Sequence, residues 1–184
     1  NYVESSSSSS SHTEALGGAI YASNSTFNNI IGDFIGNYAS NSTYYAHGGA
    51  IYSAGSNFAN ITSDFIGNYA KSTSNSANRH AYGGAIYTQD SNFNNIIGNF
   101  IENYAFANKG FAIGGAIYST GNNFGNITSN FIGNYASSPS SSAYGGAIYD
   151  SGGILGDIIG NFIRNYATGY NVEGGAIYTW HSTI

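Results

Sequence analysis

The pentapeptide Gly-Gly-Ala-Ile-Tyr occurs six times, starting at Gly17, Gly48, Gly83, Gly114, Gly145 and Gly174. Asn-Tyr-Ala closes five stretches, at Ala39, Ala70, Ala105, Ala136 and Ala167, and each stretch from Gly pair to Ala is 23 residues long. All length variation falls in the linkers between them, which hold 8, 12, 8, 8 and 6 residues. A core of fixed length with one variable connection marks a solenoid, in which a repeat buries its apolar face only against its neighbours.

Numbering each core from its first Gly, position 11 is Phe27, Phe58, Phe93 and Phe124, then Leu155. Position 14 is always Ile, positions 18 and 19 are Phe-Ile, and position 21 is Asn. Gly pairs, Ile, Tyr, Phe, Thr and Asn suit strands and turns. Leu, Glu, Lys and Arg, which build helices, are scarce at the repeat positions. Ser, Gly, Asn and Asp divide each core into three runs of strand length. The reading is an all-β parallel β-helix, with three strands per coil and about six stacked coils. In such a stack every position becomes a column of like residues spaced about 4.8 Å apart.

The columns explain why only 7% of residues are charged, against about 25% in ordinary soluble chains. A column of one charge repels itself at strand spacing, whereas an amide both donates and accepts. Asn37, Asn68, Asn103, Asn134 and Asn165 are therefore expected to form a hydrogen-bonded structural ladder. The Phe and Ile columns, with Ile20 and Ile51, should fill the interior, and the adjacent Tyr column should lie outside. Positions 14 to 16 alternate between Ile30-Ile31-Gly32 and Ile61-Thr62-Ser63 types, and the sequence offers no physical reason.

Alternation of Gly17-Gly18-Ala19-Ile20 with Phe34-Ile35-Gly36-Asn37, continuing to Phe162-Ile163-Arg164-Asn165, resembles the GGAI and FxxN repeats of chlamydial polymorphic outer membrane proteins. Similar repeats occur in other bacterial surface proteins. The likeness covers roughly residues 17 to 178. It implies a right-handed parallel β-helix and a secreted, cell-surface, adhesin-like passenger of the autotransporter kind. The sequence departs from that pattern in having no Cys, and neither a membrane barrel nor an anchor lies within it.

The whole chain, 1–184, reads as one β-solenoid segment. Residues 1–16 are the end of a preceding coil plus a Ser-rich loop, 17–173 are five full coils, and 174–184 are a partial coil. Neither end shows a polar cap. Two partners are therefore expected: the continuation of a longer chain, or another copy stacked head to tail in a filament. Four Lys and Arg against nine Asp and Glu, for a net charge of -5, argue against nucleic acid. Without a run of about 18 apolar residues, no helical membrane insertion is expected in this segment.

Sites are weighed against that scaffold. Asp33 and Asp64 share position 17 in adjacent coils and are the best acid–base or Ca²⁺ pair, yet their column continues as Asn99, Asn130 and Asn161, which reads as turn chemistry. Asp90, Asp150 and Asp157 read as scattered turn residues. His12, His47 and His80 read as exposed linker residues. No catalytic residue, metal site or cofactor is expected. The linkers gather Tyr44, Tyr45, Arg79, Tyr82, Phe106, Phe111, Tyr144 and Tyr170 on one edge. Loops on a rigid scaffold carry binding variation, so this edge is the candidate face for a glycan or protein receptor. Asn41 and Asn24 are the candidate glycosylation acceptors, with Asn41 favoured as a loop residue, and the Ser5 to Ser11 run could carry O-glycans. The expected function is a structural extracellular β-solenoid of a surface adhesin or self-assembling fibre. The alternative is a polysaccharide-active lyase or hydrolase.

Overall fold

A computed structural model describes residues 1–6 and 13–184. The run from Ser7 to Ser11 and His12 lies outside the described residues. The described chain is a β-solenoid in which every paired strand is parallel to its partner in the next coil. Like pairs with like: Tyr52 faces Tyr87, Phe58 faces Phe93 and Tyr69 faces Tyr104.

Each coil passes through five sheets rather than the three expected. In chain order the first sheet begins with Ile20–Ser23 and the second with Thr26–Ile31. The third begins with the two-residue Phe34–Ile35 and the fourth, after the preceding-coil strand Tyr2–Ser5, continues with Tyr38–Asn41. The fifth includes Ala46–His47, Ala81–Tyr82, Ala112–Ile113 and Ala143–Tyr144. The two extra sheets have separate origins. A left-handed residue at position 20, Gly36, Gly67, Glu102, Gly133 or Arg164, cuts Phe-Ile away from the strand that follows, and the last two linker residues form a ladder of their own. Only the middle of each linker is loop.

The interior has two lobes. Phe58, Phe65, Phe93, Phe100 and Phe131, with Ile51, Ile61, Ile86, Ile96, Ile117 and Ile127, are buried in the larger one. Their rings stack coil on coil, as in Phe65–Phe100 at 4.7 Å and Phe93–Phe124 at 4.9 Å, each contact contributing ~0.5–1.5 kcal/mol beyond area burial. The smaller lobe is an alanine seam between the fourth and fifth sheets, including Ala70, Ala105 and Ala136 against Ala46, Ala81 and Ala112. The Gly pair pinches the two lobes apart. A Cβ on Gly49 would overlap the carbonyl of Gly84 and lie 2.5 Å from the backbone nitrogen of Tyr69. Only a residue without a side chain lets the chain press this closely onto the fourth sheet. The expected parity holds: Ile51, Ile86, Ile117 and Ile148 are fully buried. The Tyr beside them form an outer stack, with Tyr52–Tyr87 and Tyr87–Tyr118 both at 5.0 Å.

Two of the three glycines at position 16 have a steric cause. A Cβ on Gly98 would collide with the backbone carbonyl of Ser63, and one on Gly160 with that of Ser129, whereas one on Gly32 would meet nothing within 4 Å. The contact is with backbone, so it fixes the glycine and not the serine beneath it.

The position-21 ladder is continuous. Asn68 donates from Nδ2 and from its backbone N–H to Oδ1 of Asn103, each at 2.9 Å, and Asn103 does the same to Asn134 at 3.0 Å. The second Nδ2 hydrogen of Asn103 reaches the Phe65 carbonyl at 2.8 Å. Both donors and both lone pairs of each internal amide are thus satisfied in a buried site. Asn103→Ala orphans the donors of Asn68 and the Phe65 carbonyl, and should destabilise by ~2–4 kcal/mol. Asn103→Asp, which also sets oxygen against oxygen, should be worse. Asn161→Asp, in an exposed column, should stay within ~1 kcal/mol. Chemical denaturation of the three variants measures this, and equal losses at Asn103 and Asn161 would contradict it.

Candidate functional site

Pinching the chain inward at the Gly pairs leaves a re-entrant corner on the outside, between the fifth and first sheets. Three outward columns meet there. Tyr45, His80 and Phe111 precede the inward Ala of the fifth sheet; His47, Tyr82, Ile113 and Tyr144 follow it. Tyr52, Tyr87, Tyr118, Tyr149 and Tyr178 come from the first sheet. Their rings form a connected aromatic groove. Tyr45 stacks with His80 at 5.4 Å, His80 with Phe111 at 4.7 Å, and Tyr82 contacts Tyr118 at 4.8 Å. Arg79 lies 4.0 Å over the ring of Tyr44 and 5.7 Å from that of Tyr45, a cation–π contact that holds the loop against the groove.

Of the residues expected on the binding edge, the structure brings together Tyr44, Tyr45, Arg79, Tyr82, Phe111 and Tyr144. Phe106 lies instead on the fourth sheet beside Lys71, whose amine is 5.9 Å from its ring. Tyr170 is 90% exposed and takes no part in these ring contacts. The position-5 Tyr column and Trp180 complete the groove without having stood out in the sequence, and His47, read there as an exposed linker residue, joins them. The Tyr column had been read as scaffold only, and nothing in the spacing shows that the Gly corner folds it against the linkers.

His47 is a correction. It is 7% exposed, not a free linker residue. Its ring stacks 4.5 Å from Tyr87 and 5.0 Å from Tyr82, with Tyr45 and Tyr52 further out. Neither ring nitrogen has a hydrogen-bond partner. Burial, then the nearby His80, hold its pKa down at about 3. Burial also lowers His80, with Arg79 adding to the effect. Its Nδ1 accepts the backbone N–H of Phe111 at 2.8 Å.

Asp33 and Asp64 do sit in neighbouring coils, and Oδ1 of Asp33 accepts the backbone N–H of Asp64 at 3.0 Å. Oδ1 of Asp64 accepts both the backbone and side-chain N–H groups of Asn99. The pair occupies the receiving end of an Asn ladder that runs on through Asn130 and Asn161. Asp150 is not a turn residue. It lies fully buried at the inward position of the first sheet, where it accepts the hydroxyl of Ser119. Asn41 is likewise the end of a strand, fully buried, with Nδ2 donating to the Thr13 carbonyl at 2.7 Å and Oδ1 capping the turn at Thr43 and Tyr44. An amide so enclosed is not an acceptor for a glycan. Asn24 is exposed, in a turn with φ of 48°. Among the described residues no group of three or more His, Cys, Asp or Glu is placed to hold a metal ion, and no helix is long and apolar enough to cross a membrane.

Comparison with models of protein families, with curated proteins and with solved structures finds no match to this chain.

His47 gives the groove a pH signature. Its folded pKa lies below the ordinary value of 6.5, so below pH 6.5 the unfolded chain takes up a proton that the folded chain refuses. Stability from this source is full above about pH 6.5 and falls by up to ~1.4 kcal/mol per unit down to about pH 3. Denaturation at pH 7.5 and 4.5 should show that His47→Phe loses less stability on acidification than the parent, by ~2–3 kcal/mol. Identical losses would refute the burial of a neutral ring.

Proposed function

We propose that this chain is a structural, extracellular β-solenoid of a cell-surface adhesin or self-assembling fibre, without catalysis, that meets a glycan or protein receptor through the aromatic groove. The observation that carries this reading is the one-sided groove, from Arg79 over Tyr44 to Phe111 and Tyr144. Elsewhere the columns are occupied with themselves: the buried Asn ladder, the Phe stacks, and the Asp33/Asp64 column whose oxygens receive the next coil. Such a shaft offers length and rigidity rather than a reacting constellation. Extracellular placement is supported by the GGAI and FxxN resemblance. Parallel pairing between coils is also the chemistry by which a further coil of a longer chain, or a second copy, would be added.

The second reading, a polysaccharide lyase or hydrolase, is favoured by one feature: two carboxylates, Asp33 and Asp64, adjacent on the surface. Hydrolysis uses such a pair roughly 5–10 Å apart. Incubation with polygalacturonate, with and without Ca²⁺, should give no cleavage. Cleavage that is lost in Asp64→Asn would reverse the order of the two readings. An antibody raised to the purified chain should label intact source cells, and labelling only after permeabilisation would refute the surface role.

A further inference from the structure

The groove is not uniform along the rod. At one place the aromatic columns are interrupted. Phe111 is followed one coil later by Ser142, which is too small to cover its ring, and Phe111 remains 36% exposed. Across the groove, Trp180 follows Ser151 in its column, and its indole is 55% exposed. In the floor, Ile113 stands between Tyr82 and Tyr144. The result is an open cleft of about 440 Å³, with Phe111 and Trp180 as walls and Ile113, Tyr144, Tyr149 and Tyr178 as further lining. That volume falls within the range of small-molecule sites.

The polar groups lining this cleft are the hydroxyls of Ser151, Tyr144, Tyr149 and Tyr178. One carboxylate stands at its edge: Glu173 follows Tyr144 in the floor column. No Lys or Arg lines it. A pyranose ring has a C–H face suited to an aromatic plane and a rim of hydroxyls suited to Ser, Tyr and carboxylate partners. Glu173 at the edge, with no Lys or Arg in the lining to balance it, disfavours uronic and sialic acids by like charge. We infer that the cleft between Phe111 and Trp180 is a subsite for a neutral sugar ring within a longer glycan laid along the groove. Because the cleft is open to solvent, internal units of a chain can cross it.

This inference rests on the reading of the groove as a receptor face and names the chemistry of its ligand. Titration of the purified chain with cellohexaose, chitohexaose and mannohexaose, with polygalacturonate as the acidic probe, tests it. At least one neutral probe should bind and polygalacturonate should not. Trp180→Ala, which removes a wall, and Ser151→Trp, which fills the cleft, should each weaken binding roughly tenfold with an unchanged circular dichroism spectrum. If either variant does not fold, Phe111→Ala takes its place with the same expected loss. Absence of binding to every neutral probe, tighter binding of polygalacturonate, or affinity indifferent to these variants would overturn the inference. Binding lost in Tyr45→Ala but kept in the cleft variants would refute the cleft while leaving the groove as the receptor face. Failure of surface labelling on intact cells would refute the adhesin role and leave the sugar titration standing.

Discussion

In-register stacking of like residues governs this molecule. Each position of the repeat meets its own copy one strand spacing away, so a residue type is allowed only if it tolerates itself. Phenyl rings meet this condition by offset stacking, with contacts such as Phe34–Phe65 at 4.9 Å and Phe131–Phe162 at 4.8 Å. Buried amides meet it by donating in one direction and accepting from the other, as Asn134 does with Asn165 at 2.9–3.0 Å. Carboxylates meet it where N–H groups of the next coil supply the donors, as the backbone of Asp64 does for Asp33 and Asn99 does for Asp64. The 7% content of charged residues is the compositional trace of that rule.

The same rule connects the fold to the groove. A Gly pair without side chains lets the chain press onto the fourth sheet, and the outer face of that pinch becomes the corner where Tyr, His and Phe columns converge. The scaffold is repetitive, so the features that distinguish one stretch from another are departures from the columns. His47 replaces an aliphatic or aromatic neighbour in its column and is neutralised by burial. Ile113 stands between Tyr82 and Tyr144, Ser142 follows Phe111, and Trp180 ends a column of smaller residues, and the cleft lies among these departures.

Much of this was legible in the residues alone. The invariant 23-residue core, the parallel stack, the Asn37 to Asn165 ladder and the inward Ile columns all follow from periodicity and from what each side chain can do beside its own copy. Other features escaped because they depend on where the chain bends. The five segments per coil were hidden: Phe-Ile-x-Asn-Tyr-Ala looks like one strand, and Ala81–Tyr82 looks like the tail of a linker. Asn41 read as loop because a variable-length segment begins just before it, yet it still belongs to the fourth sheet. That Gly98 and Gly160 must lack a side chain shows only in how closely each meets a backbone carbonyl of the neighbouring coil. Half the groove was visible as linker aromatics. The other half was concealed in a column that also serves as scaffold.

The claim on which the rest depends is that buried amides, bonded only to their own copies and to one backbone carbonyl, run the length of the rod. Solvent exchange of the Asn side-chain Nδ2 protons, followed by nuclear magnetic resonance, addresses it directly. The Nδ2 protons of Asn68, Asn103 and Asn134 should exchange as slowly as the backbone amides of the core strands, while those of exposed Asn123 and Asn161 should exchange rapidly. Rapid exchange at Asn103, comparable to that at Asn161, would mean that the ladder is open to water and that the columns are held together by something else.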